Sequence, residues 1–518
     1  MNWSQVLADL WPHVRQKHAW PELPVPQMGH IEAPVAMQMR DKHITLNTAT
    51  CDELAESMPP EAVIEALLDH GVSHYTRCPW DLATYLQLYA TAKAALGRKT
   101  LARLATDSFI DVVANTACVK DMPTPLPDVY RHLGGGALQG ALTALYTQIW
   151  GMQLHGSGDP ALVRRLARIP YLDRQQWPQS LRRFVQLLRP LLEAEARGRP
   201  QAPALGHHSL ESYSQAEAAL GLQAFAQQVD NIQQFSEVVQ DFAQEFAALG
   251  YGTDGGTGVG PQVDAEALYY MQLAQTYHLP VRGVPLERSG VLEPYSHAPW
   301  EASQPVQDLD IWTSFGKLLP GLSQVWKRRQ GLVYGQREGT PDCLLVLDSS
   351  GSMPNPRTQL SEAVLGAACA AEAYLRHEAR VAVYNFSDAL IGGKTVLPFT
   401  RDRQAIYQAL CVYHGGGTSL RLRDLQELRV SVPHATPDFL FITDMQLTNL
   451  DDVITYLTSV NGRVTVIHIG ENSATERFRT ATQTQPCLQI FTVRERQDIP
   501  RIVLGQVRQY FSGLHGQH

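Results

Sequence analysis

The stretch CLLVLDSSGSMPNP, Cys343 to Pro356, decides the fold of this chain. Its unbroken apolar run, Cys343 to Leu347, marks a strand covered on both faces, as the central strands of α/β sheets are. Asp348 ends the strand, and Ser350 and Ser352 follow on a glycine-containing turn. From Pro341 onward, CLLVLD, RVAVYNFSD, KTVLPF, DFLFITD, RVTVIHIG and LQIFTV read as strands. Between and after them TQLSEAVLGAACAAEAYLRHE, RDRQAIYQALCVYH, DDVITYLTSV and IPRIVLGQVRQYF carry helical periodicity. Strands alternating with helices predict a doubly wound, Rossmann-like α/β domain over 341–518, with its ligand crevice at the carboxyl ends of the strands. The Asp348 side chain is expected to emerge in that crevice.

Two later pieces point to the same place. HGGGTSL carries Thr418 behind Gly415, Gly416 and Gly417, which let the backbone approach closely, and FLFITDMQ ends a buried strand at Asp444. Asp348, Ser350, Ser352, Thr418 and Asp444 all offer oxygen, and hard oxygen donors in a compact set suit Mg²⁺ or Mn²⁺. Taken singly, the serines could merely cap a helix and the aspartates stabilise turns. GGKT at Gly392 to Thr395 imitates the end of a phosphate-binding loop, but Asp388 stands where such a loop has its first glycine. No nucleotide hydrolysis by this chain is expected.

The rest of the chain bounds the possibilities. Its 518 residues suit two or three domains, and 43 basic against 51 acidic residues, a formal charge of -8, give no electrostatic footprint for nucleic acid or an anionic membrane. No apolar run is long enough to span a bilayer and the first residues lack a signal-peptide layout, so a cytoplasmic protein is expected. The seven scattered cysteines suggest neither a disulfide framework nor a thiolate zinc site, and are expected to act as small buried hydrophobes.

Residues 1 to about 250 read as mainly helical, divided into regions 1–130 and 131–250. Phe225, Val229, Ile232, Phe235, Val239, Phe242, Phe246 and Leu249 form one stripe of a long amphipathic helix stopped by Gly250, suited to core packing or to an interaction surface. GYGTDGGTGVGPQ opens a glycine-rich linker and connecting segment over 251–340, in which Lys327, Arg328 and Arg329 form a small solvated basic cluster. In LLDHGVSHY, His70 and His74 share one face of a predicted helix, at the spacing of zinc-binding helices. Asp111 in DSFIDVVAN, with Asn115 one turn later, is the candidate third ligand. Gly71 stands where a metallopeptidase has its general-base glutamate. Structural histidines, a zinc site without peptidase activity, and a hydrolase centred on His70 and His74 are the three readings of this cluster.

The pattern D-x-S-x-S, followed by Thr418 and by Asp444 at a strand end, resembles the metal-ion-dependent adhesion site of von Willebrand factor A domains over about 175 residues. That resemblance implies a cation that completes its coordination with an acidic residue of a protein partner, an adhesive device and not a catalyst. The His70 and His74 region is similar to the zincin-like helical domains that precede some such domains. The order of helical half, connecting segment and carboxy-terminal domain resembles intracellular proteins that work beside MoxR-type AAA+ ATPases. DLDIWTSFGKLLPGLSQVWKRR resembles the CoxE-like branch of that group. The resemblance implies a non-enzymatic adaptor that brings a client to such an ATPase for remodelling or metalloenzyme maturation. A zinc-dependent hydrolase and a stand-alone binding module are the competing classes.

Overall fold

The computed structural model describes residues 2–197, 205–207, 213–229, 231–252, 263–276, 284–285, 292–330, 338–430, 436–460, 462–469, 473–482 and 488–493. The glycine-rich run 253–262, the helix expected over 499–511 and the side chains of Arg328 and Arg329 lie outside the described residues.

The amino-terminal half opens with α1 (Trp3–Lys17), β1 (Gln27–Gly29), β2 (Val35–Gln38), β3 (His43–Asn47), α2 (Thr48–Ala55), α3 (Pro60–Thr76), α4 (Leu82–Leu96) and α5 (Lys99–Asp121). It continues through α6 (Leu126–His132), α7 (Ala137–Trp150), α8 (Pro160–Leu166), α9 (Trp177–Glu195), β4 (Gly206–His207), α10 (Gln215–Gln228), α11 (Ile232–Asp241) and α12 (Ala243–Phe246). Helix boundaries follow local chemistry. Pro60 supplies a preset φ at the first position of α3, Asp81 caps α4 by accepting from Thr84 N at 2.8 Å, and Gly97 ends α4 at φ 73°. A small sheet, ordered β1-β3-β2-β4, lies against α3 and was not expected from the sequence. Gly71 makes that packing possible, because a Cβ there would meet Ile44 Cγ2 at 3.2 Å and Val35 Cγ1 at 3.4 Å.

The long helix predicted through Phe225 and Leu249 is broken. Val229 is extended (φ -76°, ψ 145°) and Asn231 starts a new helix by accepting from Gln234 N at 2.8 Å. The stripe itself is packed inside, with Phe225, Ile232, Phe235, Val239, Phe242 and Phe246 buried. No core boundary falls at residue 130, since α9 packs on both α4 and α5.

The connecting segment is also more than a linker. α13 (Ala265–Gln275) packs against α10 and α11 on one side and against the carboxy-terminal half on the other. It is followed by β5 (Val284–Pro285), β6 (Leu292–Pro299), β7 (Leu309–Asp310), β8 (Gln324–Gln330) and β9 (Glu338–Gly339); β6, β8 and β7 form a three-stranded sheet, and β5 pairs with β9.

The carboxy-terminal half contains β10 (Cys343–Asp348), α14 (Glu362–Arg376), β11 (Val381–Phe386), β12 (Lys394–Thr400), α15 (Arg403–Leu410), α16 (Leu422–Val430), β13 (Asp438–Thr443), α17 (Leu450–Ser459), β14 (Val464–Ile469), α18 (Ser473–Thr482) and β15 (Leu488–Val493). These strands form one sheet ordered β12-β11-β10-β13-β14-β15, parallel except at β12, which pairs antiparallel to β11 at the edge. Strand alternation sorts β10 between two cores. Cys343, Leu345 and Leu347 join a core shared with α14, α15 and the amino-terminal helices, whereas Leu344 and Val346 join one built with α16 and α17. This two-sided burial is why the strand carries no polar residue before Asp348; each fully buried Leu or Val contributes about 1.5–3 kcal/mol. The six described cysteines, all but Cys487, are buried and free. Among the described residues, no helix is long and apolar enough to cross a membrane.

Candidate metal centre

β10 and β13 are adjacent and parallel, so their carboxyl ends, Asp348 and Thr443, lie side by side. The two oxygens of Asp348 are held separately: Oδ1 accepts from Ser350 N at 2.9 Å, and Oδ2 accepts from Thr443 Oγ1 at 2.7 Å. Ser350 Oγ lies 3.2 Å from Ser352 Oγ, and Ser352 Oγ donates to Asp444 Oδ2 at 2.5 Å. Four of the five sequence-predicted residues therefore form one continuous polar chain. Met445 turns the backbone just beyond Asp444 with φ 59°, a left-handed conformation that costs a residue with a Cβ about 1–2 kcal/mol. Gln446 N donates to Asp444 Oδ1 at 3.1 Å and holds the carboxylate in place.

Thr418 reaches this place on its loop. Gly351 N donates to Gly416 O at 3.0 Å and Gly415 N donates to Ser349 O at 2.9 Å, so the glycine run is laid directly on the serine turn. Gly415 (φ 64°) and Gly416 (φ 84°) adopt the conformation that glycine permits cheaply. Thr448 clamps the other side, its N and Oγ1 both donating to Thr418 O. Asp348, Ser350, Thr418 and Asp444 are buried, whereas Ser352, Gly416 and Gly417 are exposed. The site thus has a closed floor and an open mouth.

Burial pushes the Asp348 carboxyl up to about 6, against the hydrogen bonds from Ser350 and Thr443 that favour its charged form. A carboxylate raised by desolvation gains from a neighbouring cation. The donor set also has suitable spacing: adjacent vertices of an octahedron with bonds of about 2.1 Å are about 3.0 Å apart, near the 3.2 Å between the two serine oxygens. The residues present fit Mg²⁺ or Mn²⁺. Thr443, Thr448, Gly351 and Met445 support the site and were missed from the sequence; the polar Thr443 directly after the apolar run Phe439 to Ile442 was the one available signal. GGKT turns into edge strand β12, and Lys394 is paired with Asp424 instead of heading a helix.

A second cluster lies in the amino-terminal half. His70, His74 and Asp111 are all buried, and one candidate ligand atom from each lies within 4.8 Å of the others. His70 and His74 share one face of α3, and the packing of α5 on α3 brings Asp111 beside them.

No protein-family model matches the chain. No curated protein matches it either. Among solved structures, it is similar to the VWA domain of SpRpn10, at 15% identity over 31% of this chain and 94% of that one, with a TM-score of 0.25. The α/β architecture is defined by the strand order and register given above.

Proposed function

We propose that residues 341–518 form a von Willebrand factor A domain whose adhesion site uses Asp348, Ser350, Ser352, Thr418 and Asp444 to hold Mg²⁺ or Mn²⁺. The protein is then a non-enzymatic, metal-dependent adaptor. The observation that carries this reading is the polar chain from Asp348 through Ser350 and Ser352 to Asp444, open to solvent at Ser352. These five side chains supply oxygen alone, with neither an imidazole nor a thiolate to act as base or nucleophile. When bound, the cation offers a coordination position to an acidic residue of a protein partner. In this reading Asp348 and Asp444 supply the charge, Ser350 and Ser352 set the spacing, and the glycine loop laid on the serine turn carries Thr418 as the fifth donor.

The partner proposed is a MoxR-type AAA+ ATPase in the cytoplasm, acting with this chain on a client protein in remodelling or metalloenzyme maturation. Support comes from the resemblance of the order of regions to proteins that work beside such ATPases and from Lys394, whose pairing with Asp424 leaves GGKT unsuited to binding a phosphate. Co-purification with the candidate ATPase in Mg²⁺ and in EDTA tests the proposal. Association should need the metal and should weaken in Asp348→Ala and Asp444→Ala, with circular dichroism showing each variant folded. Undiminished association in EDTA removes the adhesion site from the contact, and no association under any nucleotide condition overturns the adaptor reading.

A further inference from the structure

His70 and His74 stand on consecutive turns of α3 with their rings 4.5 Å apart at 82°, an edge-on arrangement and not a stack. Each ring has its Nδ1 engaged. His74 Nδ1 lies 2.9 Å from Cys78 O, and a carbonyl can only accept, so the proton of the neutral ring sits on Nδ1. His70 Nδ1 lies 2.8 Å from Asn115 Oδ1. Asn115 Nδ2 donates to Tyr130 OH at 2.8 Å, which orients the amide with its oxygen toward His70 and fixes the same tautomer there. Both imidazoles are thereby set to present an Nε2 lone pair, the arrangement that acceptors behind metal-binding histidines impose.

His74 Nε2 is 3.4 Å from Asp111 Oδ1. That distance is long for an N–H···O hydrogen bond but matches the edge of a tetrahedron whose bonds are about 2.0–2.1 Å, roughly 3.3–3.4 Å. Asp111 also lines a cavity of about 300 Å³, together with Ser108, Tyr130, Tyr146, Gly135 and Glu195. Two imidazoles and one carboxylate, the carboxylate in the wall of that space, have the composition of a zinc site with one exchangeable position.

The other buried cluster, His18, Asp69 and Cys118, is arranged against a cation. Lys17 Nζ sits 2.6 Å from Asp69 Oδ2, and burial pushes the Cys118 thiol up to about 11, so it stays protonated.

We propose that His70, His74 and Asp111 bind one Zn²⁺ through His70 Nε2, His74 Nε2 and an Asp111 carboxylate oxygen, with the fourth position facing the cavity. Asn115 and the Cys78 carbonyl act as positioning groups. Peptide hydrolysis is not part of this proposal, because Gly71 is pressed against Ile44 and Val35 and no carboxylate stands at that position.

The test is the metal content of the purified full-length chain after zinc loading and dialysis, read by mass spectrometry and by the visible spectrum of the Co²⁺-substituted protein. About one zinc per chain is expected in the wild type and in Asp348→Ala, with a tetrahedral Co²⁺ spectrum. Zinc should be lost in His74→Gln and in the near-isosteric Asp111→Asn, the second guarding against a variant that fails to fold. Asn115→Ala should retain the site with affinity weakened about 10- to 100-fold. A wild type that holds no stoichiometric zinc, or equal zinc in the wild type and in folded Asp111→Asn, overturns the proposal.

Discussion

Asp348→Asn separates the two things that this buried carboxylate does. Its rise from 3.8 to about 6 is caused first by burial, so the metal-free fold holds a charge that it disfavours at neutral pH. The sign follows from linkage: the stability associated with the protonated form is present in full below 3.8 and is lost as pH rises through about 6. Above pH 7 the loss amounts to about 3 kcal/mol. An asparagine has nearly the same shape and no charge. Its carbonyl can still accept from Ser350 N, but its amide suits Thr443 Oγ1 less well because that hydroxyl also accepts from Met445 N at 3.0 Å. Allowing about 1 kcal/mol for that mismatch, the variant should be about 2 kcal/mol more stable than the wild type in EDTA at pH 7.5, with the advantage gone near pH 4. Mg²⁺ should reverse the order, since a ligand at a hundredfold excess over its Kd adds about 2.7 kcal/mol to a protein that binds it and nothing to one that does not. Denaturant unfolding followed by circular dichroism, with and without Mg²⁺ at the two pH values, measures all four cases. Equal stabilisation of both proteins by Mg²⁺ would refute the assignment of Asp348 as a ligand. A variant less stable than the wild type in EDTA at pH 7.5 would refute the desolvation argument.

Gly71→Glu should destabilise the fold by several kcal/mol and create no peptidase, because the new side chain enters the contact with Ile44 and Val35; thermal unfolding and a casein-cleavage assay check both halves. The unaltered chain should likewise cleave no casein in excess Zn²⁺. Gly351→Ala places a Cβ 3.2 Å from Gly416 O, lifting the Thr418 loop and costing about 1 kcal/mol of Mn²⁺ affinity, roughly fivefold, as read by electron paramagnetic resonance. Tyr270→Phe removes the hydroxyl that accepts from Ser361 N at 2.8 Å at the start of α14, and should lower stability by about 1–3 kcal/mol in chemical denaturation.

The carboxy-terminal architecture was legible because its strands are short, apolar and buried on both faces, a pattern that a linear sequence displays directly. The same holds for Asp348 and Asp444, polar residues placed where apolar strands stop, and for His70 and His74, whose spacing on one helix fixes a shared face. The small sheet of β1 to β4 was not legible: its strands are two to five residues long, too short for alternation to stand out, and β4 joins it only by pairing Gly206 with Val35 across a long stretch of chain. The apolar stripe from Phe225 to Phe246 announced its burial but concealed its break, since residues can keep one face to the core across a kink that a cap at Asn231 makes local.

Sequence alone singled out the side chains proposed to carry chemistry, because hard oxygen donors at strand ends and histidines four apart are properties of composition and spacing. Only the tertiary structure decided how they are held. Thr443 behind Asp348, Thr448 behind Thr418 and Asn115 behind His70 act through hydrogen bonds between residues 30 to 95 positions apart. The role of Gly71 was likewise fixed from outside its own helix, by Ile44 and Val35 pressing on the position where a glutamate would otherwise stand. Contacts of this kind depend on which elements pack together, and no local pattern encodes them.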